Sequence, residues 1–165
     1  MQKTRGGSGL TKIFIDTEFT DLQQGAQLIS IGCITEDGKH EFYAETVFNE
    51  SFASDWVFEN VIPLLDGGKA VLSPKELREE LALWQASFAS VEIAVDSTWD
   101  WHFFTKIFAK GLPRNVAAKP FMVDATPQAY EDALHLAYSS NNFRQHHALD
   151  DAKTMRLAWL VTKGT

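Results

Sequence analysis

The sequence predicts an α/β fold in which helices pack against one mixed sheet of five strands. The first half contains three strand-like segments in succession, at residues 13–17, 26–35 and 40–47. The Asp37-Gly38 dipeptide between the last two of these is typical of a hairpin turn, so a three-strand antiparallel meander is predicted. The second half alternates helical and strand-like segments, which is the order expected of parallel strands joined by helices.

The later elements are predicted from helix caps and short apolar runs. Ser73 and Pro74 suit the N-cap and the first position of a helix, and Glu76 stands where a capping box requires it. The other predicted elements are strands at 91–95 and 120–124, helices at 99–110, 126–138 and 147–162, and an irregular or briefly helical stretch at 49–65. Two of the five predicted strands therefore belong to this half.

Length and composition favour one domain, at residues 11–165, preceded by a loose Gly/Ser-rich tail at residues 1–10. The net charge of −7 argues against a broad basic surface for long nucleic acids, although an enzyme that holds one strand end through metal ions is compatible with it. Cys33 is the only cysteine, so no internal disulfide is expected, and a reducing cytoplasmic location fits. No apolar run approaches the roughly 20 residues that span a bilayer, so no membrane partner is expected.

Carboxylates stand at two predicted strand ends. Asp16 and Glu18 are two residues apart at the end of the first strand, so both side chains lie on one face and repel each other unless a cation bridges them. Asp100 lies at the start of the helix after strand 91–95, and Asp96 is an alternative just past the strand. Each of these motifs alone is more typical of a solvated strand end or of a helix N-terminus than of a metal site.

The segment HHALDDA opens the last predicted helix. On helical geometry His147 and Asp151 are four residues apart and share a face. His146 is five residues from Asp151, so it reaches the same place only from the loop that leads into the helix. The geometry of this segment leaves both histidines as candidates.

Taken together and in this order, DTEFTDL, WDWHFF and HHALDDA resemble the three signature blocks of the DEDDh-type 3′-5′ exonucleases. These enzymes have a ribonuclease-H-like fold, four acidic site residues and a histidine, and they include oligoribonuclease and ribonuclease T. The segments IFIDTEF, LISIGCITEDG, FYAE and SDWVFENVIPLL resemble the bacterial ribonuclease AS family of 3′-5′ exoribonucleases over roughly the first 65 residues.

The resemblance implies a specific set of site residues. The acids are Asp16, Glu18, Asp100 and Asp151, with His146 as the base, because the family spacing from the histidine to the last acid is five. The chain departs from the family pattern before Asp100, where Asp96-Ser97-Thr98 replaces the Asn or Gly that relatives often have.

The implied reaction is the two-metal hydrolysis of single-stranded RNA 3′ ends to nucleoside 5′-monophosphates. Four carboxylates suit two Mg²⁺ ions, with Mn²⁺ as a substitute, and two such ions clamp the attacking and leaving oxygens of an in-line displacement. Asp16 would bridge both ions, while Glu18 and Asp151 would hold the ion on the nucleophile side. Asp100 would support the second ion. His146, with an ordinary pKa near 6.5, would take the proton of the attacking water.

Two aromatic residues are the predicted substrate contacts. Phe19 occupies the position of a wedge between the last bases, and Trp56 is the candidate for base stacking. Leu22 is explained at least as well by core packing. A DNA 3′-5′ exonuclease and a non-catalytic nucleic-acid-binding domain are the alternative functions, and the presence of all five expected site residues counts against the second. A homodimer is expected because relatives act as dimers.

Overall fold

Six strands form one mixed sheet in the computed structural model, which describes residues 9–163. The strands are β1 (Leu10–Phe19), β2 (Leu28–Thr35), β3 (Glu41–Thr46), β4 (Val71–Leu72), β5 (Ser90–Val95) and β6 (Phe121–Met122). Their order across the sheet is β4-β3-β2-β1-β5-β6. The strands β1 to β3 pair antiparallel, whereas β4, β5 and β6 each run parallel to the strand that they join. The predicted fold class, a ribonuclease-H-like meander extended by parallel strands, is confirmed.

The predicted count of five strands is wrong by one. The additional strand, β4, has two residues and pairs with β3 through Glu45–Val71 and Thr46–Leu72. A strand this short has no alternation of polar and apolar side chains, so the sequence carries no period that would reveal it. The strand β6 is shorter than the predicted strand at 120–124, because only Phe121 and Met122 pair with β5.

The hairpin between β2 and β3 is confirmed. Gly38 has a φ of 73°, in the left-handed region that favours glycine, and its N–H donates to the Thr35 carbonyl at 2.8 Å. The Asp37 carboxylate accepts a hydrogen bond from the Thr35 hydroxyl, which closes the turn.

Five α-helices lie in the described residues 9–163. They are α1 (Asp55–Asn60), α2 (Pro74–Gln85), α3 (Thr98–Ile107), α4 (Gln128–Asn141) and α5 (Ala148–Thr162). The capping box of α2 is present, with Ser73 and Glu76 bonding each other's backbone N–H groups. The stretch 49–65 contains α1 and two short 3₁₀ turns, as predicted. The helix α4 extends three residues beyond the predicted end at 138, and Asn142 ends it in a left-handed conformation.

The helices cover the two faces of the sheet in pairs. On one face α2 and α3 pack on a core that includes Ile13 and Ile15 of β1, and on the other face α4 and α5 pack on a core that includes Phe14. Side chains alternate along a strand, so Asp16 and Glu18 follow Phe14 on the face that α5 covers. The strand pattern of β1 therefore directs both carboxylates towards the first turn of α5.

Gly32 allows α5 to lie directly on the sheet. It pairs with Asp16 across the β1–β2 ladder. A Cβ atom at Gly32 would lie 2.2 Å from the backbone nitrogen of Leu149, closer than non-bonded atoms approach. Because glycine has no side chain, the start of α5 can lie next to the end of β1.

The predicted tail at residues 1–10 lies outside the described residues apart from Gly9 and Leu10, and β1 begins at Leu10. No helix within residues 9–163 is long and apolar enough to cross a membrane.

Candidate active site

A cleft opens where β1 and β5 separate. Their parallel pairing ends at Phe14–Ala94; β1 continues to Phe19, while the chain leaves β5 at Val95 and turns into α3. Ligand sites of open α/β sheets lie at such carboxyl ends of strands. The cleft has a volume of about 470 Å³. It is lined by Asp16, Thr17, Glu18, Phe19, Asp21, Leu22, Ser54, Trp56, Val57, Asp96, Ser97, Asp100, His146 and Asp151.

The structure brings all seven sequence-predicted site residues into this cleft. Their side chains come from β1, α1, α3, the loop before α5 and the first turn of α5, so no single segment of the chain contains the site. The seven residues are Asp16, Glu18, Phe19, Trp56, Asp100, His146 and Asp151.

Two groups of side chains in the cleft could hold metal ions. Within each group, every residue offers one ligand atom, and these atoms lie within 4.8 Å of one another. The groups are Glu18, His146 and Asp151, and Asp16, Asp96 and Asp100. Because β1 contributes one carboxylate to each group, two residues apart on one face, the groups are neighbours.

Asp100 is held in place by β1. Its Oδ1 accepts hydrogen bonds from the Thr17 backbone N–H at 2.9 Å and from the Thr17 hydroxyl at 2.6 Å. Ser97 caps α3 by accepting from the Trp99 N–H, which sets the first turn of the helix and therefore the direction of Asp100. Thr17 was missed by the sequence interpretation, since a threonine in a strand is equally typical of packing.

Asp151 is held by a tyrosine and by the backbone of the histidine loop. The Tyr138 hydroxyl of α4 donates to its Oδ1 at 2.7 Å. The His146 backbone N–H donates to both carboxylate oxygens, at 3.2 Å and 3.0 Å. Tyr138 was also missed, because nothing in the sequence distinguishes it from other aromatic residues of a packed helix.

The two histidines occupy different environments. His146 has a φ of 69°, and this left-handed turn places its ring in the cleft. His147 is the N-cap residue of α5, and its ring is buried and stacks on Tyr43 with centroids 4.5 Å apart. Helical geometry would put His147 on the face of Asp151, but His147 precedes the first helical residue, so the i, i+4 rule does not apply to it.

Asp150 points away from the cleft. Its Oδ2 accepts from the backbone N–H of Arg144 at 3.0 Å and from the guanidinium Nε at 2.8 Å. Arg144 also donates to Asp66 at 2.8 Å. Arg144 thus ties Asp150 and the loop before α5 to the segment that follows α1, and Asp150 belongs to neither of the two acidic groups.

Burial and mutual repulsion raise the pKa of every carboxyl in the proposed set. Burial raises the pKa of Glu18 to about 8, and the nearby Asp151 and Asp100 charges add to the shift. Burial also raises the pKa of Asp100 and of Asp151 to about 7 each, against the opposing hydrogen bonds that they accept. The pKa of Asp16 is raised by burial and then by four neighbouring acids, and its Oδ2 is buried without a hydrogen-bond donor. A cation would favour the ionised forms of all four.

Apolar side chains form the mouth of the cleft. Trp56 is 51% exposed and Leu22 is 68% exposed, so Leu22 does not pack in the core. Phe19 stacks on Phe103, with centroids 4.9 Å apart, and on Trp99 at 5.7 Å. Its ring is therefore held by α3 while it lines the cleft.

No family model matches the chain. The chain is similar to a 3′-5′ exoribonuclease of Mycobacterium tuberculosis, found in two strains, with 39% identity over 54 residues. The match covers 33% of this chain and 32% of each relative, so it spans about a third of the length of these curated proteins. This partial similarity supports a relationship to exonucleases and no narrower assignment.

Proposed function

We propose that the protein is a 3′-5′ exoribonuclease that hydrolyses single-stranded RNA with the help of two divalent cations. The observation that carries this proposal is the convergence of four carboxylates and one imidazole in a single cleft. These are the side chains of Asp16, Glu18, Asp100, Asp151 and His146. The partial similarity to a named exoribonuclease supports RNA, in preference to DNA, as the substrate.

The side chains fit hard divalent cations. The ligand atoms in the two groups are carboxylate oxygens apart from one imidazole nitrogen, and the only thiol, Cys33, is buried in the core. Oxygen ligands are those that Mg²⁺ and Mn²⁺ prefer. The buried Oδ2 of Asp16 has no donor, so an ion at this place would provide its missing partner.

Each residue has a role in this proposal. Asp16 would contact both ions, Glu18 and Asp151 would hold one of them, and Asp100 would support the other. The bound cations would offset the negative charge of the phosphodiester and of the leaving oxygen. Thr17 and Tyr138 would fix the directions of the Asp100 and Asp151 carboxylates.

His146 is the proposed base. Burial lowers the pKa of its imidazole, so the ring is neutral and able to accept a proton at pH 7. It would take a proton from the water that attacks the phosphorus of the last phosphodiester. The bond from this phosphorus to the 3′ oxygen of the preceding nucleotide would break, and that oxygen would take a proton from solvent to become the 3′-hydroxyl of the shortened RNA. The terminal residue would be released as a nucleoside 5′-monophosphate.

The mouth of the cleft is suited to unpaired bases. The exposed indole of Trp56 offers a face on which a base can stack, a contact that contributes about 1–3 kcal/mol. Phe19, fixed by its stacking on Phe103, would separate the terminal base from its neighbour as a rigid wedge. Such contacts require a strand that is not base-paired.

The test uses 5′-labelled RNA and DNA oligomers of one sequence, with and without Mn²⁺. We expect the labelled RNA to shorten stepwise as nucleoside 5′-monophosphates are released from its 3′ end. This activity should be lost in excess chelator and recovered with Mg²⁺ or Mn²⁺. Asp16→Asn, which keeps the size of the side chain, should be folded and inactive. Activity in excess chelator would contradict the metal-dependent mechanism. Faster hydrolysis of the DNA would favour a DNA exonuclease, and binding of RNA without cleavage would favour a non-catalytic domain.

A further inference from the structure

Asp96 lies in the cleft beside the proposed catalytic acids. It follows the last residue of β5, and one of its carboxylate oxygens lies within 4.8 Å of ligand atoms of both Asp16 and Asp100. The position is at the carboxyl end of β5, in the lining of the cleft. None of the roles described above requires this third carboxylate.

A capping role does not account for Asp96. The N-cap of α3 is Ser97, whose hydroxyl accepts from the Trp99 N–H at 3.1 Å, and Asp100 is the acid in the first turn. Among residues 9–163, no lysine, arginine or histidine forms an ion pair with Asp96, and no side chain or backbone group of another residue hydrogen-bonds to its carboxylate. Its charged neighbours in the cleft are all acids, and their charges repel its own.

The cluster of Asp16, Asp96 and Asp100 contains a carboxylate oxygen that has no hydrogen-bond partner. The Oδ2 of Asp16 is buried without a hydrogen-bond donor. The Oδ1 of Asp100 already accepts two hydrogen bonds from Thr17, which aligns that carboxylate before any ion arrives. Three carboxyl groups lie together here, and one of them has a buried oxygen that lacks a donor. A divalent cation would favour their ionised forms and give that oxygen a partner.

We propose that Asp96 is a third carboxylate ligand, with Asp16 and Asp100, of one of the two divalent cations, and that this ion binds before the RNA does. The inference rests on the proposed function, since it concerns the same cleft. Mg²⁺ in nucleotide-processing sites is commonly held by one or two carboxylates and completed by substrate phosphates. A third protein carboxylate supplies a ligand that a substrate phosphate would otherwise provide, so the ion can bind in the absence of RNA.

The test is a titration of the metal-free protein with Mn²⁺ in the absence of nucleic acid, followed by electron paramagnetic resonance and by calorimetry. We expect the wild type to bind two Mn²⁺ ions. Asp96→Asn should bind one ion as before and the other at least about tenfold more weakly, since the loss even of a residue that only orients a ligand commonly costs that much. The matched control is Asp132→Asn, an exposed acid on α4 outside the cleft, which should bind both ions like the wild type.

Two results would overturn the inference. One is binding by Asp96→Asn with the stoichiometry and affinity of the wild type, and the other is a wild type that binds only one Mn²⁺ without RNA. Circular dichroism of Asp96→Asn should match the wild type because the side chain is exposed. A wild type that binds two ions, loses one in Asp96→Asn and hydrolyses no nucleic acid would support the metal site while it contradicts the proposed exoribonuclease activity.

Discussion

The imidazole of His146 meets the indole of Trp56 edge to face, with ring centroids 4.8 Å apart and the planes at 79°. Trp56 comes from α1 and His146 from the loop before α5, so this contact joins two segments that are far apart in the sequence. The His146 ring has no side-chain hydrogen bond to another residue in the range 9–163. Trp56 therefore limits the orientation of the proposed base in addition to offering a surface for bases.

Trp56→Ala should weaken RNA binding about tenfold and also lower kcat, because it removes both the stacking surface and the contact with His146. The free energy of unfolding should change by less than about 1 kcal/mol, since the side chain is half exposed. Binding and single-turnover rates, measured beside thermal unfolding, check this. Phe58→Ala is the control: Phe58 lies on the same helix, is 42% exposed and does not line the cleft. A large loss of stability with unchanged RNA binding would mean that Trp56 is only a packing residue.

His146→Ala should reduce the rate by about 10²–10⁴-fold and leave Mn²⁺ binding nearly intact, because carboxylates remain to hold the ions. Burial lowers the pKa of His146, so the rate of the wild type at saturating Mn²⁺ should rise with pH below the ordinary histidine value and then level off. The variant should lose this rising limb. His147→Ala should instead lower the free energy of unfolding by about 1–3 kcal/mol, since that ring is buried against Tyr43. A limb that persists in His146→Ala and disappears in His147→Ala would reverse the two roles.

Asp151→Asn should abolish turnover, and Asp150→Asn should not. Asp151 lies with Glu18 in one of the two ligand groups, whereas Asp150 bonds Arg144 outside the cleft. Removing the charge of Asp150 should lower the free energy of unfolding by about 1 kcal/mol, because water reaches the Arg144 side of the pair. Steady-state rates and chemical denaturation of both variants separate these effects. Equal loss of activity, with both proteins folded, would contradict this assignment of the two acids.

Metal binding should release protons at pH 7. Folding raises the pKa of Glu18 from its ordinary value of 4.5 to about 8, so between these values the folded, metal-free protein binds more protons than the unfolded chain. Its free energy of unfolding should therefore fall as the pH rises through this window. Mn²⁺ should offset the fall, with an increase in melting temperature that is larger at pH 8 than at pH 5. Calorimetry in two buffers of different ionisation enthalpy measures the released protons, and identical heats in both buffers would contradict the prediction.

The sequence predicts which residues form the site better than it predicts the hydrogen bonds that orient their side chains. Asp16 and Glu18 share a face because of strand alternation, and that much follows from their spacing. The hydrogen bonds from Thr17 to Asp100 and from Tyr138 to Asp151 join residues of different elements, and no local pattern encodes them. The left-handed turn at His146 could not be predicted either, because a positive φ is uncommon in residues other than glycine, even though histidine adopts it more often than most.

The same distinction applies to the fold. The meander follows from the Asp37-Gly38 turn and α2 from its capping box, both of which are local signals. The strand β4 is defined by its pairing with the end of β3. The two residues Val71–Leu72 carry no strand signal of their own.

The close contact at Gly32 makes the distance between α5 and the sheet depend on the size of one residue. A methyl group at this position would have to push the start of α5 outward by more than about 1 Å to reach an ordinary separation from Leu149. Metal–ligand distances tolerate only about 0.2 Å. A protein with alanine at position 32 could thus keep its sheet, its helices and every proposed ligand and still be out of register, with Asp151 too far from Glu18 to share an ion. Spacing between backbones, in addition to the identity of side chains, is therefore part of what this sequence encodes for chemistry.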